Sequence, residues 1–112
     1  MNTLEYYNQL LDEEAERQSA LAQQAKSRGD ERAHSICRMK ESMLKDMLKV
    51  LGRVVYEGKR PQALETLIRS LSEESDAERR RGDYDASDRA EQKAITIQFA
   101  IDALEEAKRH GA

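Results

Sequence analysis

Apolar residues recur at helical spacing along four stretches of the chain. The first carries Leu4, Tyr7, Leu11, Ala15, Ala22 and Ala25, and the second carries Ala33, Ile36, Met43, Met47, Val50 and Val54. Leu64, Leu67, Ile68 and Leu71 mark the third, and Ala90, Ala94, Ile97, Ile101 and Leu104 the fourth. Spacings of three and four residues put such side chains on one face of a helix, so each stretch reads as an amphipathic helix. The predicted helices cover 3–27, 31–57, 61–80 and 84–109.

The breaks between them carry their own chemistry. "YEGKRPQ" offers Gly58 as a helix C-cap and Pro61 at a first helical turn, where a missing N–H does no harm. The other two breaks each hold an Arg-Gly-Asp tripeptide, at Arg28-Gly29-Asp30 and Arg81-Gly82-Asp83. Glycine supplies the left-handed backbone that closes a helix, aspartate is a favoured N-cap for the next one, and the arginine meets the negative end of the helix dipole. Local helix chemistry thus explains all three letters without an adhesion ligand.

The two tripeptides also expose a repeat. At an offset of 53, residues 28–51 match residues 81–104 at Arg28/Arg81, Gly29/Gly82, Asp30/Asp83, Ala33/Ala86, Lys40/Lys93 and Leu51/Leu104, with Leu44/Ile97 and Leu48/Ile101 as similar pairs. Six identities in 24 positions are few, yet the register keeps both caps and the apolar phase, as a duplicated helical hairpin would. Short turns make successive helices antiparallel neighbours. The expected fold is therefore all-α: an antiparallel four-helix domain over residues 1–112, built from hairpins 3–57 and 61–110. The tips around the two glycines should be packed by alanine and polar residues, because no Leu, Ile, Val, Met or Phe lies between Ala22 and Ser35 or between Ser72 and Ala94.

Composition narrows the setting. Charged residues make up 37% of the chain and the formal net charge is −3, so there is no general attraction to nucleic acid or anionic lipid. The single Cys37 forms no intrachain disulfide, and no apolar run approaches the ~18 residues of a membrane span. The chain reads as cytoplasmic, with no membrane partner.

Several side chains are candidates for more than folding. On the second helix Arg38, Lys45, Lys49 and Arg53 line up opposite the apolar arc, a possible polyanion face for salt-dependent contact with nucleic acid. On the fourth, Ile95 and Phe99 project well away from the Ile97, Ile101 and Leu104 stripe, and Ala103 fills part of the arc between. Leu48 and Val55 similarly widen the apolar face of the second helix. Helices apolar over so much of their circumference either sit centrally in the monomer or form an interface, and Ile95, Phe99, Ala103, Leu48 and Val55 are the candidate partner or homodimer surface. Tyr84 is expected to pack across the second turn. Lys40 and Lys93 fall within apolar arcs, where an ammonium calls for a carboxylate such as Glu14 or Glu74, or snorkels to water at the edge of the thin tip.

Metal and catalytic readings are thin. Glu31 and His34 have the Glu-x-x-His spacing of a di-iron half-site, but the repeat-equivalent positions are Tyr84 and Ser87. His34 and Cys37 share one helix face without the further ligands of a zinc site. No cofactor or metal is expected, and no nucleophile arrangement or phosphate-binding loop marks an enzyme. "RRRGDYDASDRAEQKA" resembles the turn and second helix of a tetratricopeptide hairpin over 16 residues, although the spacing of 53 differs from the ~34 of that repeat. The resemblance implies only that helical hairpins make binding surfaces. The function expected is a non-enzymatic protein–protein interaction module, a small dimeric adaptor or regulator, with nucleic-acid association through the basic face or a metal or redox role through Glu31, His34 and Cys37 as alternatives.

Overall fold

A computed structural model describes the backbone of residues 2–57 and 62–111, and the side chains of residues 2–49 and 62–110. It contains α1 (Thr3–Ser27), α2 (Glu31–Glu57), α3 (Gln62–Arg80) and α4 (Tyr84–Gly111), with no strand among the described residues. The antiparallel pairs α1/α2 and α3/α4 are the two hairpins expected. Gly58 and Pro61 lie outside the described residues.

Both Arg-Gly-Asp turns fold identically. Gly29 has φ 75° and Gly82 φ 83°, the left-handed region that favours glycine. Asp30 N donates to Ala25 O at 2.9 Å and Gly29 N to Lys26 O at 3.1 Å; Asp83 N and Gly82 N do the same to Glu78 O and Arg79 O, at 2.9 and 3.0 Å. These paired bonds are a Schellman closure, which satisfies carbonyls that the ending helix leaves open. Each aspartate then turns to the next helix, its Oδ1 accepting from Ala33 N at 3.0 Å and from Ala86 N at 3.1 Å. One residue thus ends a helix and caps another, which is why the turns are so short. At the start of α1, Asn2 Oδ1 accepts from Glu5 N at 2.8 Å while Asn2 Nδ2 donates to Glu5 Oε1 at 3.1 Å, a reciprocal cap.

The hairpins do not close into a symmetric ring. α4 packs against α1, α2 and α3, whereas among the described residues α3 packs against α4 alone. Two apolar clusters result, and α4 contributes to both. Tyr7, Leu11 and Ala15 of α1 meet Leu44 of α2 and Ala100, Ala103, Leu104 and Ala107 of α4 in one. Leu71 of α3 meets Ala90, Ala94, Ile97 and Ile101 of α4 in the other. The alanines let α4 approach α1 and α2 closely on one side while its isoleucines reach α3 on the other. The layer is flat, with extents of 45 × 32 × 18 Å and a radius of gyration of 15.2 Å. A compact chain of this length would have about 13 Å.

At the tips the packing is small and polar, as the sequence implies. Ala22 and Ala25 are buried in the first hairpin, and in the second Ser75 Oγ donates to Ser87 O at 2.9 Å. The tips are joined by charge: Arg32 of α2 pairs with Asp85 at 3.0 Å and with Asp88, and Arg89 donates to Ser35 Oγ at 3.1 Å. These contacts show that α2 and α4 run parallel, side by side. Among the described residues no helix is long and apolar enough to cross a membrane.

Candidate functional site

The breadth of α4 is explained inside the monomer. Thr96, Ala100 and Ala103 are buried towards α1 and α2, and Ala103 is therefore core rather than surface. Leu48 and Phe99 are partly buried against the same cluster. Among the described residues of the candidate surface only Ile95 is exposed, at 47%. Val55 lies outside the described residues. A helix clasped between three others needs apolar residues on two sides, which is the feature its periodicity carried.

Ile95 and Phe99 do come together at one place. With Thr96 they form the α4 side of a groove whose other walls are Glu14 and Arg17 of α1 and Lys40 and Leu44 of α2. The space is about 180 Å³. Leu44 and Thr96 are buried at its floor, and Thr96 Oγ1 turns its hydroxyl to Gln92 O at 2.8 Å, which leaves its methyl as the unpaired group.

The rim is charged. Arg17 holds Glu14 with Nε on Oε2 and Nη2 on Oε1, both at 3.1 Å, and Gln18 Nε2 donates to Oε1 at 2.9 Å. Burial of the Glu14 carboxyl works against its charge, but Arg17, Gln18 and the nearby Lys40 outweigh it and hold its pKa below the usual glutamate value. Lys40 does not make the carboxylate pair expected of it. Its Nζ donates to the neutral Gln92 Oε1 at 2.9 Å, and among the described residues no carboxylate stands within ion-pair distance. Glu14 is held instead by Arg17 and Gln18 of its own helix, and Lys40 acts on it through charge alone. Lys93, at the equivalent place in the repeat, is exposed, because α4 turns that side outward near the tip.

The basic face of α2 is partly neutralised. Arg38 Nη1 contacts Glu41 Oε1 at 3.0 Å, and Lys45 Nζ lies 4.0 Å from Glu41 Oε2. The Arg38 hydrogen bond, with the charges of Lys45 and Arg38, holds the Glu41 carboxyl below its usual range despite its desolvation. Arg38 also donates to Ser19 Oγ at 3.2 Å, so its guanidinium is turned towards α1. Lys49 is exposed, and Arg53 lies outside the described residues. Glu31 is exposed while His34 and Cys37 are half-buried, and no group of three His, Cys, Asp or Glu among the described residues is placed to hold a metal. Tyr84 does not pack across its turn; it is 64% exposed at the start of α4.

The groove was only half legible in the sequence. Ile95 and Phe99 stood out by phase, and Lys40 by its place in an apolar arc, but nothing in the spacing joined them to Glu14, Arg17 and Leu44. No family model matches the sequence, and no curated protein and no solved structure matches it either.

Proposed function

We propose that this chain is a non-enzymatic helical module that binds another protein, acting in the cytosol as a small adaptor or regulator. The observation that carries the reading is the groove between α1, α2 and α4, where a half-buried cation and the apolar side chains of Leu44, Ile95 and Phe99 face open space. A partner side chain seated there would be gripped by three helices at once, the geometry by which helical surfaces take anchor residues.

Affinity capture from the source cell with wild-type protein and with Ile95→Glu tests it. Ile95 is exposed enough for the variant to fold, so the expected result is a partner retained by wild type and lost by the variant. A partner held equally by both would move binding away from the groove.

The homodimer is a second reading, favoured by Leu67, which is 44% exposed on α3, the helix that among the described residues packs against α4 alone. Sedimentation equilibrium of wild type and Leu67→Glu is the check. A dimer that the substitution returns to monomer would place the second copy on α3.

A further inference from the structure

We infer, resting on the interaction-module reading, that the groove between α1, α2 and α4 recognises a segment of another protein that carries an apolar side chain beside a carboxylate. Three observations point the same way.

The first is size. A space of about 180 Å³ accommodates one leucine-like or aromatic side chain; a dry apolar cavity of ~150 Å³ is enough to hold benzene. Leu44 at 1% exposure and Thr96 at 2% give the floor little chance to rearrange.

The second is the state of the charges. Arg17 and Gln18 hydrogen-bond both oxygens of Glu14, and among the described residues Lys40 makes no ion pair with that carboxylate. Lys40 spends one donor on a neutral amide and keeps the others. The free donors of this ammonium can make a charge-assisted hydrogen bond to an incoming carboxylate, roughly twice as strong as the one to the neutral amide.

The third is sign. The rim bears two cations and one acid in a chain whose net charge is −3, so the groove is a positive spot on an acidic protein. It favours an acidic segment over a basic one at this place. A cationic or uncharged anchor would leave Lys40 unmatched.

The probe is 3-phenylpropanoate, titrated into the full chain labelled for methyl NMR, with 3-phenylpropan-1-ol and 3-phenylpropylamine as neutral and cationic controls. Binding in the millimolar range is expected for so small a ligand, read from the Ile95 and Thr96 methyls. The acid should bind about tenfold tighter than the alcohol and the amine weakest of all. Lys40→Met should remove the preference for the acid while the circular dichroism spectrum and melting temperature stay near wild type. Equal binding of the three probes, no binding, or an unchanged preference in Lys40→Met overturns the proposal. So does a self-associating chain that Ile95→Glu returns to monomer, since the groove would then belong to a second copy. If the probe fails but the protein still captures a partner that Ile95→Glu does not release, the groove assignment falls and the interaction-module reading stands.

Discussion

The two hairpins end in the same turn and differ in what their second helix does. Leu44 on α2 and Ile97 on α4 occupy equivalent places in the repeat, and both are 1% exposed. Leu48 and Ile101 are also equivalent, yet Ile101 is buried at 7% while Leu48 is only half-buried. Lys40 is half-buried against Gln92 and Lys93 is exposed. The difference follows from position: α4 is covered by α1 and α2 on one side and α3 on the other, whereas α2 has α1 and α4 alone among the described residues. One local code can therefore serve a central and a peripheral helix, and the burial of its apolar positions depends on what is stacked outside them.

The sharpest way to break this comparison is to remove the equivalent side chains. Ile101→Ala should cost about 3 kcal/mol of unfolding free energy, within the usual range for a buried large-to-small change. Leu48→Ala should cost clearly less, because part of its side chain already meets water. Urea unfolding with both variants measures this. Equal losses would mean that α2 is as deeply covered as α4.

Next in size is a test of the likeness rather than the difference. A Cβ added at Gly29 or Gly82 meets nothing within 4 Å, so an alanine there is opposed by the backbone conformation alone. Gly29→Ala and Gly82→Ala should each lose about 1–2 kcal/mol, the cost of a left-handed residue bearing a side chain. The two losses should match within error. A large inequality would show that the turns, alike in hydrogen bonding, are unlike in strain.

The smallest effect expected is on acid stability. Glu14 and Glu41, both in the first hairpin, have carboxyls held below their usual range by Arg17 and Arg38, among others. A lowered folded-state pKa means that the unfolded chain binds more protons just below the ordinary glutamate value of about 4.3, so their contribution is present above that pH and is lost as the pH falls towards the lower folded values. In Glu14→Gln and Glu41→Gln the fall of melting temperature between neutral and acid pH should be shallower than in wild type. An unchanged profile would deny these pairs any part in acid stability.

How much of this was readable beforehand follows from the range of each interaction. Helix boundaries, caps and turns depend on residues within four or five positions of one another, and Asn2, Gly29, Asp30, Gly82 and Asp83 determine them almost alone. The wide apolar arc of α4 was visible too, but the sequence left open whether a partner or the chain itself covers it. Ala103 shows why: a small residue reads the same in a dimer seam and in a close helix crossing. Tyr84 stays exposed because a helix near its tip has fewer neighbours than its phase implies, and for the same reason Lys93 reaches water at the edge of the tip.

The groove belongs to the other category. Glu14, Lys40 and Ile95 lie on three helices far apart in the chain, and their meeting depends on how α4 settles between α1 and α2. The sequence by itself determined four helices and the two Arg-Gly-Asp turns that join them in pairs, because backbone hydrogen bonds and caps are local. Only the tertiary structure decided that α4 would be central, that Lys40 would meet Gln92 rather than pair with a carboxylate, and that this ammonium would border an apolar space. Those outcomes are settled by competition among side chains for the same partners and the same buried area, which no spacing along a single helix encodes.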